Sequence, residues 1–253
     1  MSSELPTIVF IPGAWHKPWI FDLVREDLAG RGYPTAAVAL PSVGSTDVNA
    51  GLDQDADAVR AELQRLIDAG REVVVVAHSY GGIPVANAVE GLNHKSRVAK
   101  KKTGGVLMLI YMTSFAMPAD ESLSDSDSDG PQPWLDIKGG FILPRDPISL
   151  FYAGVEPSLA TKAAAALCPQ PSKTFLDKSR FEPWNEGFEM GYIFAEEDQL
   201  LTLDKQIDMS SQFPASSFTA TLTASHSPFL SMPETLGKTI QQAAQVAVAR
   251  KAA

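Results

Sequence analysis

The chain has 253 residues, of which 45% are hydrophobic and 20% are charged, and its formal net charge is −9. These values suit one globular domain with a sizeable core, and they exclude a disordered or fibrous chain. Nucleic acids and anionic membranes need a basic protein face, so we expect neither of them as a partner of this acidic chain.

Short apolar or β-branched runs alternate with longer amphipathic stretches along most of the chain. Val73–Val76 is apolar on both faces, as expected of a central parallel strand that helices cover on both sides. In chain order, the predicted strands are Thr7–Ile11, Thr35–Leu40, Glu72–Ala77, Val106–Met112, Met190–Phe194 and Ser217–Thr223. The predicted helices are Trp19–Arg31, Leu52–Ala69, Thr202–Gln212 and Glu234–Lys251. This alternation predicts the α/β class, with a mostly parallel sheet, flanking helices and right-handed crossovers.

The alternation breaks between about Phe115 and Gly187, in a stretch that is rich in proline, glycine and serine. Two short helices are predicted within this stretch, at Pro147–Tyr152 and Pro157–Leu167, and no strand is predicted. The acidic run Ser124–Asp129 is predicted to be a solvated loop.

A long insertion after a sheet strand is typical of a lid over the carboxyl edge, where open α/β sheets bind ligands. A surface excursion is the alternative, but the stretch holds more aromatic residues than a solvated loop would. We therefore predict a cap formed by residues 115–187, called the insertion below, on a core of residues 1–114 and 188–253.

The strongest local motif lies where a predicted strand meets a helix. Glu72–Ala77 leads into Ala77-His78-Ser79-Tyr80-Gly81, a small-x-Ser-x-Gly pattern with alanine in place of the usual first glycine. A nucleophile elbow requires this order, because a sharp turn lifts the serine hydroxyl above the sheet and small neighbours let strand and helix approach. The motif predicts Ser79 as a nucleophile. A glycine-rich turn with an incidental serine is the alternative.

A second motif, Phe10-Ile11-Pro12-Gly13-Ala14-Trp15-His16, follows the first predicted strand. In proteins with a nucleophile elbow, a loop of this kind supplies one backbone N–H group of an oxyanion hole. The residue after the nucleophile supplies the other. Here the two donors would be Ala14 and Tyr80. An ordinary strand-to-helix loop is the alternative interpretation.

A serine hydroxyl needs a general base, and the chain has four histidines. His78 adjoins the serine and should point away from it, into the packing around the turn. His94 lies in a basic, exposed stretch, and His16 is a candidate to line the site. His226 follows the last predicted strand, where the chain order Ser–acid–His places the base, so we predict His226 in that role rather than a structural one.

The acid of such a set should follow the preceding strand. Met190–Phe194 leads into a short acidic segment, in which Asp198 is predicted to orient the histidine and stabilise its cation. Glu197 is the second candidate. Asp204 and Asp208 are expected to lie on a helix face.

With these residues in place, the chain resembles the small α/β hydrolases that include plant methyl-salicylate-type esterases and the α/β-fold hydroxynitrile lyases. The resemblance covers nearly the whole length. It rests on the two motifs above, on Tyr192-Ile193 with Asp198, Gln206 and Met209, and on His226-Ser227-Pro228-Phe229-Leu230-Ser231-Met232-Pro233. Pro12 stands where the family usually has histidine. The resemblance implies an α/β-hydrolase fold with a helical cap inserted after a central strand.

The same resemblance separates two chemistries. The lyases have a threonine at the position of Gly13, and they have a lysine directly after the catalytic histidine, at the position of Ser227. That lysine supplies positive charge for a cyanide leaving group. The residues of this chain therefore imply hydrolysis rather than cyanohydrin cleavage.

The sequence thus predicts a serine hydrolase that cleaves a carboxylic ester, or a related acyl bond, of a small apolar or aromatic molecule. One alternative is a C–C bond hydrolase or lyase that uses the same three residues on a small aromatic or polyketide-like substrate. Another is a non-catalytic small-molecule receptor. Substrate contacts are predicted, on weaker grounds, at Gly13, His16, Trp134, Phe151 and Ser227.

Partners and compartment follow from what the sequence lacks. It has no zinc or dinucleotide motif, so neither a metal nor a cofactor is expected. Cys168 is the single cysteine, which excludes an internal disulfide. The N-terminus has no signal-peptide pattern, and no apolar run reaches the roughly 18 residues of a membrane span. We expect a cytoplasmic monomer or homodimer with a small-molecule substrate.

Overall fold

A six-stranded parallel sheet forms the centre of the molecule, in a computed structural model that describes residues 5–126 and 132–251. Its strands are β1 Thr7–Ile11, β2 Thr35–Ala37, β3 Glu72–Ser79, β4 Gly105–Ser114, β8 Met190–Ala195 and β9 Phe218–Leu222. They lie in the order β2-β1-β3-β4-β8-β9. Because all of these strands are parallel, their carboxyl ends lie at one edge of the sheet. The functional residues are predicted at that edge.

Helices cover both faces of this sheet. All residues of β1 and β4 are buried, which a strand achieves only when both of its faces are covered. The helices of the core are α1 Asp22–Gly30, α2 Leu52–Asp68, α3 Gly82–Ala88, α4 His94–Ala99, α8 Leu203–Ser210, α9 Pro228–Ser231 and α10 Pro233–Lys251. Helix α1 packs on α10, and α2 packs on α3.

The predicted α/β class and all six predicted strands of the sheet are confirmed. The boundaries differ by a few residues. The strand predicted at Thr35–Leu40 ends at Ala37, and the helix predicted from Trp19 opens with a 3₁₀ turn at Pro18–Phe21 before α1 begins. Over residues 5–126 and 132–251, no helix has both the length and the apolar character needed to cross a membrane.

The insertion contains a second, smaller sheet as well as helices. Its strands β5 Leu135–Lys138, β6 Phe141–Pro144 and β7 Gln170–Pro171 are antiparallel and lie in that order. Its helices are α5 Pro147–Phe151, α6 Pro157–Ala165 and α7 Lys173–Leu176. The expectation that this stretch has no strand is therefore wrong. These strands are too short for an alternating pattern, and β7 pairs with β6 from a distant part of the chain.

The acidic run predicted as a loop at Ser124–Asp129 lies partly outside the described residues. Its first residues belong to a 3₁₀ turn, Leu123–Ser126.

Candidate active site

Ser79 lies at the sharp turn between β3 and α3. Its φ is +52°, in the left-handed region that non-glycine residues rarely adopt. The turn brings the backbone of Gly81 close to β1, because a Cβ atom there would lie 2.6 Å from the Pro12 carbonyl oxygen. The Ser79 carbonyl accepts hydrogen bonds from the Ser114 hydroxyl at 2.6 Å and the Phe115 amide at 3.1 Å. Hydrogen bonds from the end of β4 therefore hold the strained turn.

His226 follows β9 and is buried beside the serine. Its Nε2 atom lies 2.9 Å from Ser79 Oγ, so the hydroxyl can donate to the imidazole. Its backbone carbonyl accepts a 2.8 Å hydrogen bond from Nε2 of His78. The His78 ring packs against the rings of Phe229 and His226, at centroid distances of 4.8 and 4.7 Å. His78 thus fixes the loop that carries His226.

Asp198 lies in the loop after β8, and its Oδ2 atom is 2.6 Å from Nδ1 of His226. The amides of Leu200 and Leu201 donate to Oδ1 at 2.8 and 3.0 Å, and the hydroxyl of Thr113 also donates to Oδ2. Burial alone would raise the pKa of this carboxyl, but the neighbouring imidazole and these hydrogen bonds hold the pKa below its ordinary value. Asp198 is therefore held as an anion.

The second candidate acid, Glu197, is exposed, whereas Asp198 is buried against the imidazole. The Gln206 side chain on α8 explains this orientation. It accepts from the Ala195 amide at 3.0 Å and donates to the carbonyls of Ala195 and Leu201 at 2.9 and 2.6 Å. Gln206 thus closes the loop on both sides of the acid.

The loop after β1 brings Ala14 opposite the residue that follows the serine. Neither the Ala14 amide nor the Tyr80 amide donates a hydrogen bond to another group in the described part of the chain. Both residues line the same cavity as Ser79. Two free N–H groups beside a nucleophile can stabilise negative charge on a substrate oxygen.

The His16 side chain holds this loop through a hydrogen bond to the Ala14 carbonyl. The Ala14 carbonyl can only accept, so Nδ1 of His16 carries the proton of their 2.7 Å hydrogen bond. Its Nε2 atom then accepts from the Tyr152 hydroxyl, also at 2.7 Å. Burial lowers the pKa of His16 to about 4, so the ring is neutral near neutral pH.

A cavity of about 270 Å³ opens beside Ser79 and is lined mainly by apolar and aromatic side chains. It is lined by Ala14, Trp15, Ser79, Tyr80, Phe115, Leu123, Gln132, Trp134, Leu135, Phe175, Leu200, Leu201, Lys205, Asp208 and Met209. Lys205 and Asp208 are exposed, which places them at its mouth. Such a cavity suits a small apolar ligand with few polar groups.

Among the five predicted substrate contacts, Trp134 lines the cavity and the other four are not among its lining residues. Phe151 is buried, and its ring lies 5.6 Å from that of His226. Gly13 packs against the turn that carries the serine, and His16 is tied to Tyr152. Ser227 is buried, and its hydroxyl has no hydrogen-bond partner among the described residues.

Several residues at the site were not predicted from the sequence. Thr113 has a recognisable signal, since a hydroxyl at the end of β4 adjoins the end of β8, where the acid lies. The wall residues Phe115, Leu123 and Leu135 carry no local signal, because their packing over the sheet edge is set by the tertiary fold. In the described ranges, no cluster of His, Cys, Asp or Glu side chains could hold a metal ion.

Known proteins provide a comparison for this geometry. The profile of a family described as "Alpha/beta hydrolase family" matches residues 8–238. The alpha/beta hydrolase nvfD of Aspergillus novofumigatus is 29% identical over 248 residues, which cover 96% of this chain and 98% of that protein. The pFDCC methylesterase MES16 of Arabidopsis thaliana is 24% identical over 246 residues, 90% of each chain.

Solved structures match the fold as well. The crystal structure of a pyrethroid hydrolase from Sphingobium faniae JZ-2 superposes with a TM-score of 0.73 at 21% identity. The match covers 95% of this chain and 97% of that one. Together with the methylesterase match, this agrees with the resemblance to small esterases that the motifs indicated.

Proposed function

The chain belongs to the alpha/beta hydrolase family, and on that premise we propose that it is a serine hydrolase acting on carboxylic esters or related acyl compounds. The observation that carries the proposal is the hydrogen-bonded sequence Ser79–His226–Asp198, with distances of 2.9 and 2.6 Å, beside an apolar cavity. A serine, a base and an orienting acid in this order form the arrangement that activates a hydroxyl for acyl transfer.

In the proposed reaction, Ser79 Oγ attacks the substrate carbonyl carbon while His226 Nε2 takes the hydroxyl proton. The amides of Ala14 and Tyr80 donate to the oxygen that gains negative charge. When the tetrahedral intermediate collapses, His226 returns the proton to the leaving alkoxide, and an acyl-enzyme remains on Ser79. Water then attacks the acyl group, with His226 again taking and returning a proton, which releases the acid and restores the serine.

Asp198 is the proposed orienting acid. Its hydrogen bond to Nδ1 of His226 leaves Nε2 free to accept the proton of Ser79, and its charge stabilises the imidazolium that results. The Thr113 hydroxyl and two loop amides already satisfy the rest of the carboxylate. The carboxylate is thereby held in place and kept ionised during the reaction.

The cavity supports a small, apolar or aromatic substrate. Its wall is built mainly from tryptophan, phenylalanine, leucine and methionine side chains, and the polar side chains at its mouth are few. Relatives and neighbours whose names denote a methylesterase and a pyrethroid hydrolase support an ester as the bond cleaved. At the position where the resemblance places a lysine in lyases, the chain has the neutral Ser227.

We also propose that the insertion, residues 115–187, is a cap on the core formed by residues 1–114 and 188–253. Several of its residues line the cavity above Ser79, among them Trp134 and Phe175. It also anchors Trp15, in the loop after β1 of the core: the indole N–H of Trp15 donates to the Ile142 carbonyl at 3.0 Å. Changes at the insertion residues that line the cavity should therefore alter which substrates are accepted.

The test is turnover of p-nitrophenyl acetate and butyrate by the wild-type chain and by Ser79→Ala. Wild-type turnover that is lost in the variant is expected, and equal activity of the two would overturn the proposal. Labelling by a fluorophosphonate, with peptide mapping to Ser79, shows whether the nucleophile is activated.

The same experiment separates the alternatives. A chain that is labelled at Ser79 but inert to a broad ester panel favours the C–C bond hydrolase or lyase. Saturable binding of a small molecule that is unchanged in Ser79→Ala, without labelling or turnover, favours a receptor.

A further inference from the structure

Asp55, on the first turn of α2, is a carboxylate with no exposed surface that lies outside the cavity wall. It accepts hydrogen bonds from the Ser42 amide at 2.9 Å, the Ser42 hydroxyl at 2.6 Å and the Tyr80 hydroxyl at 2.9 Å. Within the ranges that the structure describes, no basic side chain forms an ion pair with it. A buried carboxylate without a cation is costly to the fold, so its partners are informative.

Those partners lead to both sides of the proposed oxyanion hole. The Ser42 hydroxyl, which donates to Asp55, accepts a 2.8 Å hydrogen bond from Nε2 of Gln170. Oε1 of Gln170 in turn accepts the backbone amide of Trp15 at 3.1 Å. These hydrogen bonds form a series, Trp15–Gln170–Ser42–Asp55, in which each donor meets an acceptor. The series connects β7 of the insertion to α2 of the core.

The Trp15 end of the series fixes a strained peptide. Trp15 has a φ of +65°, a conformation that costs a non-glycine residue of order 1 kcal/mol or more. The peptide that joins Ala14 to Trp15 is held at both of its polar atoms, since His16 donates to its carbonyl and its N–H donates to Gln170. The peptide directly after Ala14 is thereby fixed, and Ala14 itself, whose N–H is the first proposed donor, lines the cavity.

The other end fixes Tyr80. The Tyr80 hydroxyl donates to Asp55, and its ring stacks on Phe175 at a centroid distance of 6.2 Å. The Tyr80 side chain is thus held both at its ring and at its hydroxyl. These contacts restrict the position of Tyr80, whose backbone N–H is the second proposed donor.

We propose that Asp55, Ser42 and Gln170 are positioning residues that set the separation of the two oxyanion donors, Ala14 and Tyr80. None of the three lines the cavity, so each acts through a neighbour. This inference rests on the proposed function, because the two amides need fixed positions only if they bind a developing oxyanion. Preorganised donors of this kind stabilise a transition state more than the ground state.

The carboxylate of Asp55 suits this role better than an amide would. Its two oxygens accept hydrogen bonds from three donor groups. An asparagine there would point its NH₂ group, itself a donor, at one of those three donors. Burial raises the pKa of Asp55 above its ordinary value, and the hydrogen bonds from Ser42 and Tyr80 oppose that rise.

The test uses Gln170→Met, which keeps the length of the side chain and removes both hydrogen bonds. We expect kcat for p-nitrophenyl butyrate to fall ~10- to 100-fold, less than the loss of a whole oxyanion donor, with KM changed by less than about 3-fold. Binding of butyl trifluoromethyl ketone, which places an oxyanion in the hole, should weaken by the same factor as kcat/KM. Tyr80→Phe, which removes the other end of the series, should show the same pattern.

Thr174→Val is the matched control. Thr174 is buried in the insertion; its hydroxyl donates to the Pro171 carbonyl at 2.7 Å and, among the described residues, makes no hydrogen bond to Gln170, Ser42 or Trp15. Fluorophosphonate titration corrects both variants for the fraction of intact sites. The inference is overturned if the corrected kcat of Gln170→Met equals that of Thr174→Val, or if its affinity for the ketone stays at the wild-type value.

Failure of the proposed function gives a different result. In that case the wild-type chain itself is neither labelled nor active on esters, and the premise of the inference is lost. When the wild type is labelled and active while Gln170→Met matches the control, only the positioning role fails.

Discussion

Oδ2 of Asp198 lies 2.6 Å from Nδ1 of His226, and the two side chains are almost completely shielded from solvent. Water therefore does not compete for this hydrogen bond, and an imidazolium at His226 would have the carboxylate as its immediate counterion. In a site of low polarity such an interaction is stronger than in water. The pair has the geometry that an orienting acid and its base require.

Removing the charge of Asp198 should therefore slow acyl transfer strongly. In Asp198→Asn, the amide can donate to Nδ1 and so favour the wrong tautomer, and we expect kcat to fall ~10³- to 10⁴-fold. Glu197→Gln is the control, because Glu197 adjoins Asp198 in sequence but is exposed. The measurement is steady-state hydrolysis of p-nitrophenyl butyrate. A similar kcat in the two variants would refute the role assigned to Asp198.

Gly13 should tolerate no side chain. A Cβ atom at this position would lie 2.8 Å from Cβ of Ser79 and 2.9 Å from Nδ1 of His78, so a neighbour would have to move. We expect Gly13→Ala to lower kcat and to lower the free energy of unfolding by about 1–3 kcal/mol, as overpacking of a core does. Urea unfolding and ester hydrolysis measure the two effects.

Gly30→Ala is the matched control for that change. A Cβ atom at Gly30, the last residue of α1, would meet no atom within 4 Å. It should leave kcat at the wild-type level and the stability equal or slightly higher. If Gly13→Ala behaves like Gly30→Ala in both assays, the close packing at Gly13 is not what the site depends on.

Trp134 should limit the length of the acyl chain. Its half-buried ring lines the cavity and packs edge-on against Trp15 at 6.2 Å. In Trp134→Ala, we expect the ratio of kcat/KM for octanoate to that for butyrate esters to rise ~10-fold, since one methylene in an apolar pocket contributes about 1–3 kcal/mol. Phe181→Ala, outside the cavity wall, should leave the ratio unchanged. An unchanged ratio in Trp134→Ala would contradict the cavity as the acyl site.

Local signals explain why the three proposed reacting residues could be chosen from the sequence. Ser79, Asp198 and His226 each follow a predicted strand, and the ends of parallel strands converge at one edge whatever the details of packing. Their order along the chain, together with the turn motif around Ser79, led to their prediction. The six strands of the main sheet were predictable for the same reason, since each is a continuous apolar or alternating run.

The supporting residues could be predicted less well, because they depend on contacts between distant segments. Ser42 and Gln170 are 128 positions apart, and nothing local pairs them. Asp55 did carry a signal, since it lies on the helix face of Leu52 and Val59, where a solvated carboxylate is not expected. The hairpin of β5 and β6 also had one, in the adjacent glycines 139 and 140 between two short runs.

His16 links the loop after β1 to the insertion through two hydrogen bonds, and its burial should make the stability of the fold depend on pH. It lies between the Ala14 carbonyl and the Tyr152 hydroxyl, with the rings of His78 and Phe151 packed against it. Burial lowers its pKa to about 4 in the folded chain, against the ordinary value of 6.5 expected after unfolding. Between these two values the unfolded chain binds more protons than the folded one. Acid therefore favours unfolding in that range.

The free energy of unfolding should consequently fall between pH 6.5 and pH 4, with His16 contributing a loss of about 3 kcal/mol. In His16→Gln, an amide can still donate to Ala14 and accept from Tyr152 but does not titrate, so the fall should be smaller by about that amount. His94→Gln is the control: burial lowers the pKa of His94 as well, but His94 is less buried than His16 and Glu72, 3.3 Å away, opposes the shift, so its contribution to the slope should be smaller. Urea unfolding at several pH values measures the three slopes. A slope in His16→Gln as steep as in the wild type would show that this imidazole is not kept neutral by burial.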